Sequence, residues 1–500
     1  MAMRLWRRSG FALGVAALVA GCAIKPEPLT EAQLGQLAAE NLEQVVANQE
    51  PITGPIDLYE AMARSLKYNL DYKVELYEKA LRSAELDLSH YKLLPKIVGN
   101  AGFHRRNNYS ASSSLNLITN TANFGASTSR EKRIRDRDLE INWDILDFGL
   151  SYVRARQTAD KVLIAEEMKR KVINRIIEDV RTAYWRAVSA DRLIARLRHL
   201  ESRTRRALAD SRRVSTEGRT SPITALTYER ELVEIKRTIQ ELQRDLSVAK
   251  SQLAALMNVR PGTQFRLQLF RRVHSGLRLR SSADDMIWTA LQNRPELREV
   301  AYRQRINRQE AHAALLELLP NFRMFASTNY DSNSFLLNNH WLEWGAQATW
   351  HLLKVIEYPA RRDVVNSQDA LLEQRSLALT MAVMTQVHVS RVRFYHYARE
   401  LMTAREYYNV QSRLVKNMRV EAAAGRISEQ TLLREEMNTL VAEVKFDITF
   451  AGLQNAFANV YASMGLDPYN EQFDTELSVT SLAQTLRSVW AERGDRPGRR

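Results

Sequence analysis

Leu139-Glu-Ile-Asn-Trp-Asp-Ile-Leu-Asp-Phe-Gly149 changes its hydrophobic period partway along. Leu139, Ile141, Trp143 and Ile145 fall on one side of an extended chain, and Glu140, Asn142 and Asp144 on the other. After Gly149 the apolar residues recur at the α-helical period as far as Thr216. At 1.5 Å per residue an unbroken rod from Leu150 to Thr216 is about 100 Å long. An amphipathic strand that feeds a very long helix is the predicted arrangement, with Gly149 at the join.

The chain repeats itself. Leu93-Leu94-Pro95 returns as Leu318-Leu319-Pro320 (318 − 93 = 225), and at that offset Leu66 matches Leu291 and Glu85 matches Glu310. Trp143 returns as Trp350 (350 − 143 = 207), and this second offset persists through Gly218 and Gly425, Arg219 and Arg426, Ser221 and Ser428, and Met257 and Met464. The change between offsets (225 − 207 = 18) places the extra residues in a loop between the two strand-like segments of the first half. That connection, 105–137, is rich in Ser, Asn and Thr and is predicted to be an exposed loop.

Each half offers two strands. In the second, Phe322, Met324, Ala326, Thr328 and Tyr330 alternate with polar neighbours, as do Leu342, Trp344, Ala346, Ala348 and Trp350. In the first, a weaker strand around Ile97 to His104 precedes Leu139–Trp143. Strands of about ten residues cross a bilayer when tilted. No stretch beyond Pro26 has the roughly twenty apolar residues of a transmembrane helix. Four strands cannot close a barrel and open edges are not tolerated in lipid, so a membrane role requires several chains to share one barrel.

The helices carry heptad seams. Ile173, Ile176, Val180, Ala183, Ala187, Ala190, Ile194 and Leu197 form one, and Val383, Val387, Ser390, Phe394, Tyr397, Leu401 and Ala404 the other. Thr216-Glu-Gly-Arg-Thr-Ser-Pro222 stops the first rod, and a second helix returns from Ile223 to Asn258. Each half therefore contains a helical hairpin with a sharp tip.

At the N-terminus, Arg4, Arg7 and Arg8 precede an apolar Phe11 to Ala20 and then Val19-Ala20-Gly21-Cys22, which is similar to a bacterial lipoprotein signal with its lipobox. Cys22 is the single cysteine, which excludes an intrachain disulfide and makes it the candidate lipidation (palmitate) site. Ala23 and Ile24 follow it instead of an aspartate, which by the same resemblance favours sorting to the outer membrane. Stable anchoring follows from several acyl chains, at about 0.8 kcal/mol per buried CH₂. The formal charge is +14, or 14 − 3 = +11 without the signal arginines. The basic residues alternate with glutamates along helices as a solvated face does, and the export signal argues against a nucleic-acid partner.

Taken together, Trp143-Asp-Ile-Leu-Asp-Phe-Gly149, the two Leu-Leu-Pro segments and the paired Gly-Arg-x-Ser tips resemble outer-membrane efflux proteins of the TolC family over roughly 57–466. The resemblance implies a mainly α fold with membrane β: tandem coiled-coil helical hairpins plus four strands per chain, in a homotrimer whose twelve-stranded β-barrel continues as a periplasmic α-helical tunnel. It implies passive conduction in a tripartite efflux or type I secretion system, with a periplasmic adaptor and an inner-membrane transporter as partners. The expected organisation is a signal peptide at 1–21, a lipidated tether at 22–56, repeats at 57–258 and 282–466 around a linker at 259–281, and a C-terminal periplasmic tail at 467–500 whose Arg-rich end is mobile. By the same resemblance Gly218, Arg219, Ser221, Gly425, Arg426 and Ser428 are adaptor-docking tips. Thr431 and Arg434 then stand at the periplasmic aperture, and Trp143, Asp147, Gly149 and Trp350 mark the barrel–tunnel joins.

The residues agree with those roles: Gly permits the turn, Arg can donate to helix-end carbonyls, and Ser can cap the returning helix. Two departures stand out. Trp350-His-Leu-Leu-Lys-Val-Ile356 lacks the Asp-x-Gly of the first join, and Thr431 and Arg434 occupy positions where some members carry carboxylates. No phosphate loop, Gly-x-Ser-x-Gly or His-Glu-x-x-His occurs, His388 and His396 lack a third ligand, and Met381, Met384 and Met402 suit helix packing, so no enzyme, cofactor or metal is expected. The competing reading is a non-conducting, lipid-anchored coiled-coil scaffold or adaptor, which gives no reason for paired amphipathic strands.

Overall fold

A computed structural model describes residues 26–217, 221–260, 262–268, 277–279, 281–466 and 477–495. Cys22 lies outside the described residues, as do Gly218 and Arg219. The chain divides into two units at Pro51. The first holds helix α1 (Glu31–Gln44), started by a capping box in which Thr30 and Gln33 satisfy each other's backbone N–H groups; none of its residues is buried.

The second unit begins with α2 (Leu58–Tyr68) and α3 (Leu70–Tyr91), followed by β1 (Lys96–Arg105), β2 (Ser112–Asn116), β3 (Thr121–Ser127) and β4 (Arg133–Asp144). Then come α4 (Ile145–Thr216), α5 (Pro222–Ser247), α6 (Ala249–Leu256), α7 (Ala283–Asn293) and α8 (Pro295–Leu316). Strands β5 (Asn321–Asp331) and β6 (His340–Thr349), then α9 (Leu353–Ala423), α10 (Glu429–Ser463) and α11 (Val479–Asp495), complete it. The sequence offsets recur in these boundaries. Both ends of α2 and α3 map onto α7 and α8 at 225 (58 + 225 = 283; 91 + 225 = 316), and the span from α5 to α6 maps onto α10 at 207 (222 + 207 = 429; 256 + 207 = 463). Asp57 and Asn69 cap α2 and α3 by accepting from Glu60 N and Tyr72 N at 2.7 and 3.2 Å, so the helix starts are written in single side chains.

The sheet has the order β1-β4-β5-β6 with every pair antiparallel. Its register sorts side chains by chemistry. Ile97, Ile141, Ala326 and Trp344 lie opposite one another, as do Gly99, Leu139, Thr328 and Leu342, on one exposed face. Val98, Glu140, Ser327 and Glu343 form a row on the other face, next to Lys96, Asn142, Phe325 and Gly345. An ion pair between Arg323 and Glu140 ties β5 to β4 on that second face.

Two expectations need correction. Helix α4 begins at Ile145, so the strand ends at Asp144 and Gly149 already sits inside the helix; a Cβ there would meet Leu316 Cδ1 at an ordinary 3.8 Å, and the join does not need glycine. The polar connection 105–137 is not loop throughout, because β2 and β3 pair as a separate hairpin. Its turn is built by Asn116, whose side chain accepts from Ile118 N and Thr119 N, and by Asn120 at φ +49°. Within the tail, Val479, Leu482, Leu486 and Trp490 of α11 are buried against α2 and its surroundings, and Arg487 pairs with Asp57. The spacing of those four residues is an amphipathic helix, and burying that stripe outweighs the entropy of ordering a terminus.

Both seams are packed. Ile173, Val180, Ala187 and Leu197 of α4, and Val383, Val387, Phe394 and Leu401 of α9, are nearly inaccessible. The larger core joins α2, α4, α6, α9, α10 and α11, and a second core towards the tips is built from Leu193, Leu197, Leu232, Ile239, Leu433 and Leu440. Tyr184 is fully buried and its hydroxyl donates to Gln268 O at 3.1 Å, which holds the inter-repeat linker against the body where Ile56 bridges Leu267. The two rods differ in their surroundings. Helix α4 contacts α2, α3, α5, α6, α8 and α10, whereas α9 contacts α7, α8 and α10 and leaves Val389, Val392, Tyr395, Met402, Tyr407 and Val410 exposed.

Candidate functional site

At the first join the sheet hands over to α4 through a borrowed cap. Asp144 occupies the N-cap position without making a side-chain capping bond. Asn321 supplies it instead: its Oδ1 accepts from Leu146 N at 3.3 Å while its Nδ2 donates to Asp144 Oδ1 at 3.3 Å. Lys96 reaches Asp147 at 3.3 Å and Asp144 at 3.6 Å, placing a cation beside two first-turn carboxylates. Trp143 packs edge-to-face on Phe148 with ring centroids 5.8 Å apart.

The second join reaches the same end with reversed charges. Lys354 stands at the copy of Asp147 (147 + 207 = 354) and approaches Glu317 at 3.5 Å, and Arg361 bridges Glu317 and Glu310 at 2.5 and 3.0 Å. Trp350 lies just past β6, and its indole Nε1 donates to Leu318 O at 3.0 Å. The missing Asp-x-Gly is therefore replaced by carboxylates at and near the end of α8. Burial raises Glu299 on the same helix, yet the stronger combined pull of Lys171 and Arg303 leaves its pKa below 4.5. For Glu310, the hydrogen bond from Gln157 leads in lowering the pKa, with Arg361 assisting.

The second tip is closed by a Schellman turn. Gly425 has φ +70°, its N–H donates to Ala422 O at 3.0 Å, and Arg426 N donates to Glu421 O at 2.9 Å. Ser428 caps α10 by accepting from Thr431 N at 3.1 Å, and its hydroxyl lies 2.8 Å from Thr431 Oγ1. The Arg426 guanidinium pairs with Glu421 at 3.2 Å. At the first tip Ser221 sits at the N-cap of α5 without a side-chain cap bond, and Pro222 occupies the first helical turn, where its missing N–H leaves no orphan donor.

Beside the tip, Arg434 lies 3.7 Å from Glu231 of α5 and 3.8 Å from Glu435, and Gln430 donates to Glu231 at 2.8 Å. Behind them runs a charge ladder that sequence reasoning assigned to solvent. Arg192 pairs with Asp447 at 2.8 Å, Arg196 with Glu443, and Arg203 with Glu436, in steps of four and seven along α4 matched by the same steps back along α10. Glu436 also accepts from Arg419 of α9 at 2.9 Å, so three helices meet on one buried carboxylate. The signal that could have found it is the position of Glu436, Glu443 and Asp447 beside the apolar seam of α10.

Among the described residues no helix is long and apolar enough to cross a membrane. The surface suited to lipid is the apolar face of the sheet. No family model and no curated protein matches the chain. Solved structures do. The CmeC outer-membrane channel of Campylobacter jejuni matches with a TM-score of 0.63 at 14% identity over 86% of this chain and 89% of its own. CusC matches at 0.62 and 16% over 84% and 96%, and the open state of the MtrE outer-membrane channel of Neisseria gonorrhoeae at 0.62 and 13% over 82% and 89%. At such identities the likeness is one of architecture, and the chain has the fold of the TolC-family outer-membrane channels.

Proposed function

We propose that the chain is the outer-membrane channel of a tripartite efflux or type I secretion system and conducts its substrate passively. The observation that carries this is the two-faced sheet: one exposed apolar face, one polar face, and edges at β1 and β6 that pair with nothing among the described residues. In lipid, an open edge leaves backbone N–H and C=O groups unsatisfied at several kcal/mol each, so β6 of one copy must pair with β1 of the next. Three copies of the four-stranded sheet give twelve strands, above the roughly eight of the smallest membrane barrels. The exposed apolar row on α9 then packs against neighbouring copies in the tunnel wall of the homotrimer.

In this reading Cys22 carries the acyl anchor to outer-membrane lipid, and 22–56 is the tether. Residues 57–258 and 282–466 are the two repeats, joined by the linker 259–281 and followed by the C-terminal segment 467–500. The tips at Gly218, Arg219 and Ser221 and at Gly425, Arg426 and Ser428 receive the periplasmic adaptor of an inner-membrane transporter. Thr431 and Arg434 line the aperture, and the joins at Trp143, Asp147, Gly149 and Trp350 set where barrel becomes tunnel. No catalysis is required, because the work is geometric: exclude lipid, enclose water and keep the periplasmic end shut until a partner shifts the helix pairs. Cysteines placed at Thr431 and cross-linked between copies test this. Substrate export stops if the aperture moves during transport, and unaffected export contradicts the assignment.

A further inference from the structure

Beyond the apolar rows, on the same outward face and at the end of the sheet away from the helices, the register brings together Arg105, Arg133, Arg135 and Arg137. Arg105 lies directly opposite Arg133 across the β1–β4 ladder, Arg135 is opposite Phe103, and Arg137 is opposite Ala101. All four arginines are exposed, and none has an ion pair or side-chain hydrogen bond among the described residues. The carboxylates of β4 do not answer them: Asp136 and Asp138 point to the other face, where they meet His104 and Asn100. Glu131, the nearest carboxylate preceding the strand, receives the hydroxyl of Ser334. Like charges directly opposite on a sheet destabilise it, and long basic side chains without partners gain nothing from the fold. An anion outside the chain would relieve both.

The position of the row says where that anion is. From Asp144 back to Arg137 and to Arg133 the strand rises about 24 and 37 Å, or about 18 and 29 Å of height at a tilt near 40°. That places the guanidinium groups at the rim of an apolar band about 25 Å tall. Tyr330 and His340 continue the Arg137 row, their rings in contact at 4.7 Å between centroids and tilted by 33°, and aromatic side chains of the Tyr type are enriched at a lipid–water boundary.

We propose that this arginine collar binds the phosphate groups of an outer-leaflet lipid headgroup, one bearing more than one phosphate. Guanidinium forks match phosphate oxygens bidentately, and four cations on two adjacent strands exceed what a single phosphodiester neutralises. The proposal rests on the channel reading above, which fixes this face as lipid-facing and this end as external.

The test uses the full chain, purified as its oligomer in a non-ionic detergent, and a bis-phosphorylated acylated disaccharide lipid as the probe. The dephosphorylated lipid and inorganic phosphate serve as comparisons. The expected result is at least about tenfold tighter binding of the phosphorylated lipid, equivalent to about 1.4 kcal/mol, weakened by salt and not competed by an equal concentration of inorganic phosphate. Combined Arg105→Gln, Arg133→Gln, Arg135→Gln and Arg137→Gln should remove that preference, and the four Arg→Lys changes should keep most of it. Equal binding of the dephosphorylated lipid, displacement by inorganic phosphate, or an unchanged preference in the glutamine variant overturns the collar. Planar-bilayer conductance of the same samples separates the two claims: a conducting protein without the preference refutes only this inference, and a non-conducting one refutes both.

Discussion

Replacing Glu436 with glutamine should loosen the helix bundle behind the tips. The Glu436 side chain is 9% exposed and answers Arg203, which is 20% exposed, and Arg419, which is 64% exposed. Removing one partner of a buried pair costs about 3–5 kcal/mol, because the surviving charge is left without compensation. The loss here is smaller. Arg419 is solvated enough to contribute at most about 1 kcal/mol, and Arg203 retains Glu429 at 3.6 Å. A cost of about 2–3 kcal/mol remains, or about 30- to 150-fold in a local opening equilibrium. Amide hydrogen exchange across the first turns of α10, read by mass spectrometry on the intact oligomer, should accelerate by that factor, while exchange in the sheet stays unchanged. Changing Arg203 and Glu436 together to methionine should restore at least half of the protection, since removing both charges leaves no buried orphan at that pair. Exchange within about threefold of the parent in Glu436→Gln would show that the ladder is solvated and the reasoning wrong.

Further outcomes follow from single residues. Gly465→Ala should be far worse than Gly425→Ala: both glycines have positive φ, but a Cβ at Gly465 would fall 2.6 Å from the backbone of Asn293, whereas at Gly425 it meets nothing. Chemical unfolding should report about 3 kcal/mol against about 1 kcal/mol, and equal losses would refute the packing argument. Trp490→Ala should cost about 3 kcal/mol and free α11 to protease, because Trp490 is buried with Arg181 4.5 Å over its ring; an uncut α11 contradicts this. Glu299 and Glu310 are held below their ordinary value, so their stabilisation is complete above about pH 4.5 and is lost as pH falls through the folded values. An acid titration of stability should therefore decline below that pH, less steeply in Glu299→Gln, and identical slopes would remove Glu299 from the account.

The repeat was legible because rigid rods conserve length. Gaps of 225 and 207 residues between matched tryptophans, glycines and prolines survive as matched helix ends. The two-period pattern at Leu139–Gly149 located a strand and a helix but put the start of the helix at Leu150, five residues late (150 − 145 = 5). Ile145 fits either period, and the cap that starts α4 comes from Asn321, a residue that only the folded sheet brings near. Residues 112–127 were hidden by composition, since Ser, Thr and Asn serve loops and solvated hairpins alike. The charge ladder was hidden by symmetry: arginines on α4 and carboxylates on α10 look like two solvated faces until the helices are placed side by side. Docking tips and aperture were legible as turn chemistry alone, and Gly425 and Ser428 do perform that chemistry.

The central claim is that copies of this chain close one conducting barrel through the edges of β1 and β6. Planar-bilayer recording on the purified protein, with its mass measured in the same mild detergent, tests it most directly. A trimeric mass with stable step-like conductance is the expected result, and a monomer that leaves the bilayer silent would contradict the account.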